Sequence, residues 1–197
     1  MDKIAELKKL EEEARRTLKK PGTNLVFGEG NPDARVMLIG EAPGFHEDQL
    51  GRPFVGAAGK LLDKLLGMGG LDRAEVYITN VLKNRPPGNR DPFPEEINEA
   101  AGFLDSQILI IDPQVIVTLG RFSMGKFIPG VKITLVHGDP KRVGKRIVIP
   151  MFHPAAALRA GVVMAKTEAD FKKLPNILNK LDDIEGDQID PGQLSLL

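Results

Sequence analysis

Five short apolar runs rich in β-branched residues, at 36–39, 76–79, 115–119, 133–136 and 147–152, punctuate the chain. Runs of this length bounded by Gly, Pro or Asn read as strands, and those without polar alternation read as strands buried on both faces. Helical spacing occupies 58–67, 94–111, 121–127 and 167–181. Strands that alternate with helices specify a mainly parallel sheet, because parallel neighbours need a crossover long enough to hold a helix. The expected fold class is α/β: three αβα layers around a central, mainly parallel four-stranded sheet. In such folds ligands sit beyond the carboxyl ends of the strands, so the loops after strands are where chemistry is to be sought. Asp2 is placed to cap a first helix with Ile4, Leu7, Leu10, Ala14 and Leu18 on one stripe, ended by Pro21-Gly22.

Composition narrows the chemistry. The chain has no Cys, which removes disulfides, thiolate metal sites, iron–sulfur clusters and cysteine nucleophiles together. Its three His, at 46, 137 and 153, share no metal-ligand spacing, so no metal site is expected. No apolar run approaches the ~18 residues of a membrane span, and Met1-Asp2-Lys3 starts no signal peptide. The expectation is a cytoplasmic monomer with one domain over 1–181 and a flexible acidic tail over 182–197. Charge balances at 27 Lys and Arg against 27 Asp and Glu, which at face value disfavours a nucleic-acid partner. Removing three Lys and five acids at 1–13 and five acids at 182–197 leaves 24 basic against 17 acidic residues between. The body of the chain is thus basic, with Arg85, Arg90, Lys141, Arg142, Lys145 and Arg146 as phosphate candidates.

The first inner strand runs into Gly40-Glu41-Ala42-Pro43-Gly44, then Phe45-His46-Glu47-Asp48. Two Gly around a Pro suit a tight loop whose backbone approaches a ligand, and equally an ordinary strand-to-helix turn. Neither a dinucleotide fingerprint nor a P-loop is present. Phe54, between Pro53 and Gly56, is either a core plug or a stacking platform. Asn80 ends the second strand, where its amide can cap a turn or pair bidentately with a base edge. The last strand leads to Phe152-His153-Pro154-Ala155, which puts His153 at a carboxyl end.

The segments 40–44, 51–59, 76–87 and 152–159 jointly resemble, in order and spacing, the iron–sulfur family of uracil-DNA glycosylases known as family 4. The resemblance extends over about 23–180. It implies an enzyme that flips uracil out of DNA and hydrolyses the base–sugar bond, starting base-excision repair. It further implies that Gly40 and Ala42 line the base pocket, that Phe54 stacks on uracil, and that Asn80 pairs with the O4 and N3 edge. His153 would donate to O2 as uracil leaves as an anion, and Glu41 would stabilise the cationic sugar and orient or deprotonate the water. Glu47 would share that role or shape the pocket. Arg85 and the segment Pro154, Leu158 and Arg159 would meet DNA, with Leu158 as an apolar wedge or else a helix-stripe residue.

The sequence departs from that family at its four cluster cysteines, whose positions align with Glu13, Arg16, Asn84 and approximately Ala100. The family's iron–sulfur cofactor is therefore not expected, and a Glu13–Arg16 pair bonded across to Asn84 is the expected replacement. The loop 85–90 lacks the His of a uracil-trapping branch, so turnover is expected. A non-catalytic uracil- or DNA-binding module of the same fold is the alternative reading. Gln193-Leu194-Ser195-Leu196-Leu197 resembles the pentapeptide that binds the bacterial DNA polymerase sliding clamp, which makes that clamp an expected partner.

Overall fold

The computed structural model describes residues 2–184. Asp2 caps α1 (Lys3–Thr17), its Oδ1 accepting from the amides of Ile4 and Ala5 at 3.1 and 3.2 Å. Leu7 and Ala14 are buried beneath that helix while Ile4 stays exposed, so the packed stripe begins one turn later than its periodicity predicts. There follow β1 (Glu29–Gly30), β2 (Val36–Gly40), α2 (Phe45–Leu50), α3 (Ala57–Met68), β3 (Tyr77–Asn80), α4 (Pro94–Ile111) and β4 (Val115–Leu119). The second half comprises α5 (Arg121–Phe127), α6 (Ile133–Val136), β5 (Lys141–Val143), β6 (Arg146–Met151), α7 (Pro154–Ala157) and α8 (Gly161–Asn179).

The strand order is β1-β3-β2-β4-β6-β5. The four inner strands are parallel, with Met37 opposite both Tyr77 and Ile116, and Val117 opposite Ile149. They correspond to four of the five runs read as strands from sequence, and the short antiparallel β1 and β5 add one strand at each edge. Successive residues of a strand face opposite sides, and two cores result. Met37, Ile39, Ile116 and Val148 pack with Leu7, Leu104, Ile108 and Phe127 under α1, α4 and α5. Val36, Leu38, Val117 and Ile149 pack with Leu62, Leu65, Phe171 and Leu174 under α3 and α8. Each such side chain contributes about 1.5–3 kcal/mol by leaving water.

Two expectations change. The run 133–136 is not a strand but the helical turn α6, with Leu135 three-quarters exposed. The free edge of β6 is taken instead by β5, a polar segment that the tight turn at Gly144 (φ +58°) folds back onto it. Pairing geometry outweighs β propensity there. The last helix also begins at Gly161, six residues earlier than its spacing predicts. Packing continues to Ile184, and Arg142 donates to the carbonyls of Leu181 and Ile184 at 2.7 and 2.9 Å. No helix among the described residues is long and apolar enough to cross a membrane.

Candidate active site

The carboxyl ends of β2, β3, β4 and β6 deliver Glu41, Asn80, Gly120 and His153 to one cavity of about 490 Å³. The ladder between β2 and β3 continues one step past the strands, where the amides of Val81 and Leu82 donate to the carbonyls of Gly40 and Glu41, each at 3.0 Å. That extension holds the two loops side by side. Gly40 has to be glycine: a Cβ there would stand 2.3 Å from Asn80 Oδ1 and 2.6 Å from the Phe54 ring. Ala42 lines the same cavity.

Phe54 is buried and adopts φ +50°, a left-handed conformation that costs a non-glycine residue energy unless its surroundings enforce it. Two clamps enforce it. Glu47 Oε1 accepts from the amides of Val55 and Gly56 at 2.9 and 2.8 Å, and Arg73 donates to the carbonyls of Pro53 and Phe54 at 2.7 and 3.2 Å. Gly59 closes underneath, where a Cβ would overlap the Phe54 carbonyl. Phe54 is thus both core plug and cavity wall, and one oxygen of Glu47 is committed to shaping that wall.

Asn80 is almost fully buried, yet neither atom of its amide has a hydrogen-bond partner among the described residues. Leaving such groups unpaired costs about 1–3 kcal/mol, so a free amide facing a cavity is the signature of a group held ready for a ligand. Behind it the polar groups are paired throughout. Lys83 Nζ donates to Thr79 Oγ1 at 2.7 Å, the Asn80 carbonyl at 2.9 Å and Gln107 Oε1 at 2.5 Å. Gln107 donates in turn to the Phe27 carbonyl and the Tyr77 hydroxyl. Burial pushes the Lys83 pKa well below its ordinary value.

His153 caps α7, its Nδ1 accepting from the Ala155 amide at 3.1 Å. That bond assigns the proton of the neutral ring to Nε2, which leaves a donor for the cavity. Burial first, and the charge of Arg159 second, lower its pKa to about 4 against an opposing pull from Glu47. The ring is therefore neutral near pH 7. Glu41 moves the other way: burial, then the nearby charge of Asp91, raises its pKa above the usual carboxylate value, while Arg121 opposes. A carboxylate so perturbed in a cavity is fitted to take up a proton.

The structure gathers Gly40, Glu41, Ala42, Glu47, Phe54, Asn80 and His153 as the sequence anticipates. Arg159 lines the mouth and Leu158 is exposed beside it, while Pro154 is buried and starts α7. Arg85 Nε donates to Asn89 Oδ1 at 2.6 Å, and Asn89 is itself in the lining. Four phosphate candidates are placed or occupied elsewhere. Lys145 and Arg146 pair with Asp112 at the amino end of β6, opposite the cavity, Arg142 holds the chain near Ile184, and Lys141 lies on the β5 edge. Arg90 lines the cavity but spends its guanidinium on Glu96, at 2.8 and 3.0 Å. Asn89, Asp91 and Arg121 are lining residues that sequence reasoning missed; Asn89 at φ +55° gave no signal of its own. The segment Gln193–Leu197 lies outside the described residues.

An aromatic wall and an unpaired amide on the floor offer one stacking face and an adjacent donor and acceptor, groups with which a nucleobase-reading enzyme can hold its base. The sequence places the chain within one such group: it belongs to the uracil DNA glycosylase superfamily, whose profile matches residues 27–179. The type-4 uracil-DNA glycosylase of Archaeoglobus fulgidus is 47% identical over 173 residues, 83% of this chain and 86% of that protein. That of Thermotoga maritima is 52% identical over 140 residues, 70% of this chain and 73% of the relative. The type-5 enzyme of Thermus thermophilus is more distant, at 36% over 114 residues.

The four positions aligned with cluster cysteines do not fit an iron–sulfur cluster. They offer a carboxylate, a guanidinium, an amide and a methyl group, and no group of three or more His, Cys, Asp or Glu among the described residues could hold a metal ion. Nor do they form the expected replacement. Glu13 and Arg16 point to solvent, Arg15 pairs with Glu11 instead at 2.5 Å, and Asn84 donates to Thr23 Oγ1 at 3.2 Å. The segment after the first helix is tied to the site ionically: Lys20 bridges Glu96 and Glu99 at 3.6 and 3.4 Å, and Glu96 holds Arg90. The Arg90 hydrogen bonds, against a smaller cost of burial, hold the Glu96 pKa at about 2.

Proposed function

We propose that the protein is a monofunctional uracil-DNA glycosylase that takes a flipped uracil into this cavity and hydrolyses its N-glycosidic bond. The unpaired Asn80 amide carries the reading: Nδ2 donates to uracil O4 and Oδ1 accepts from N3–H, a pattern reversed in cytosine. As the C1′–N1 bond breaks, its electron pair passes to the uracil ring and charge grows on O2, where the His153 Nε2–H donates without giving up its proton. A donor fixed at such a position contributes about 3–4 kcal/mol, and a neutral ring suffices. Glu41 stabilises the cationic sugar, orients the attacking water and accepts the proton released as water bonds to C1′. Among the described residues the cavity lining contains no lysine, and Lys83 is engaged behind Asn80, which supports hydrolysis without strand cleavage.

Incubation with uracil- and thymine-containing oligonucleotides, followed by alkaline cleavage of abasic sites, tests this reading. Uracil release without strand cleavage before alkali is expected. Glu41→Gln should lower kcat/KM by about 10²–10⁴ and remove the acid limb of the pH profile, whose apparent pKa lies above the ordinary glutamate value. No release by the parent protein would favour a non-catalytic binding module. We further propose that Gln193–Leu197 binds a sliding clamp; its deletion should abolish clamp binding while turnover on short oligonucleotides is retained.

A further inference from the structure

The rim of the cavity carries a feature that uracil excision itself does not use. Phe45 and Phe93 are large apolar rings left 48% and 53% exposed, and each is backed by an arginine. The Arg85 guanidinium carbon lies 5.1 Å from the Phe45 ring centre, and that of Arg90 lies 3.7 Å from the Phe93 ring centre. Both arginines belong to the loop 85–91 that forms one cavity wall. Phe45 directly follows Gly44, a lining residue, and Phe93 stands two residues past Asp91, another. Core packing does not explain either ring, since neither belongs to the two buried clusters.

The arginines are held as backing rather than as free phosphate ligands. Arg90 is engaged twice by Glu96, and Arg85 is anchored through Nε to Asn89. A cation fixed over one face of a ring stabilises its position and leaves the opposite face for a second flat partner. From this geometry we infer that Phe45 and Phe93 form a stacking strip for unpaired bases that flank the flipped uracil, so that the enzyme holds single-stranded DNA through contacts a duplex cannot make. The inference rests on the glycosylase reading of the adjoining cavity. A base stacks on an aromatic side chain only with a bare face, and in a duplex those faces are covered by neighbouring bases. Arg159 at the rim complements the phosphates of a strand crossing the mouth, whereas Arg121 beside it is paired with Asp91.

The test uses the full chain and one uracil in three settings: a single-stranded oligonucleotide with thymine flanks, the same strand with abasic spacers as flanks, and the duplex. Spacers should raise the single-strand KM of the parent protein by about tenfold or more, with kcat within about twofold. Phe45→Ala combined with Phe93→Ala should show the raised KM already with thymine flanks and no further rise with spacers, while the duplex KM moves less. An equal loss on single strand and duplex, or a spacer effect that persists in the double variant, overturns the strip. Fluorescence anisotropy with uracil-free strands carrying bases or spacers gives the same comparison without turnover. Failure of the glycosylase reading would be separate: no uracil release from any substrate by the parent protein, whatever the anisotropy shows.

Discussion

Two buried polar groups three residues apart in sequence have opposite fates. The Lys83 amino group is surrounded by three oxygen acceptors, and the Gln107 that receives it is bonded at both ends. The Asn80 amide, on the cavity side of the same segment, is bonded at neither. Desolvation penalises both, but only the first has been offset by partners within the chain. The contrast separates a group that holds the fold from one that waits for substrate, and it orders the expected consequences of changing each.

Of the two, Asn80→Ala should give the larger effect on turnover. Loss of two hydrogen bonds to the flipped base lowers kcat/KM for uracil by about a hundredfold, while thermal stability stays level or rises because an unsatisfied group has been removed. Lys83→Met should do the reverse. It strands the Asn80 carbonyl and Gln107 Oε1 without their donor, at a cost of about 2–4 kcal/mol of stability, or roughly 5–15 °C in Tm for a chain of this size. Denaturation and single-turnover rates on both variants would decide the matter. An Asn80→Ala protein that melts as early as Lys83→Met would mean that the amide is already partnered in solution and that the contrast fails.

How much of this was legible in the sequence follows from what fixes each residue. Glu41, Asn80 and His153 stand at the ends of β-branched runs, and a parallel sheet brings all such ends to one edge, so strand recognition alone locates them. Phe54 was ambiguous because it serves both candidate roles. Gln107 left a faint signal, a polar residue on the stripe of Leu104, Ile108 and Ile111, but its partner on β3 is set by tertiary packing. The run 133–136 misled because a strand needs an open edge as well as propensity, and β5 had filled it. The Glu13–Arg16 pair misled because spacing on a helix permits a pair without directing it; Arg15 and Glu11, one residue more apart, pair instead. Charge misled in part: the surplus of the middle segment is real, but Arg90, Lys145 and Arg146 spend it on carboxylates within the chain.

His153 stands between the two extremes, with Nδ1 satisfied by Ala155 and Nε2 left for the cavity, and its expected contribution to stability is the smaller one. Its pKa of about 4 in the folded chain lies below the 6.5 of an unconstrained imidazole. Between those values the unfolded chain binds a proton that the native site refuses, so stability falls as the pH drops through the window and the loss is complete below about pH 4. Allowing for partial solvent access, the contribution is about 1–2 kcal/mol. In His153→Asn the stability lost between pH 6.5 and pH 4 should shrink by that amount, while its loss of activity near pH 7 persists, since the neutral donor is gone at every pH. An unchanged acid slope in this variant would mean that the imidazole is solvated in the folded chain, and His153 would then no longer belong with Asn80.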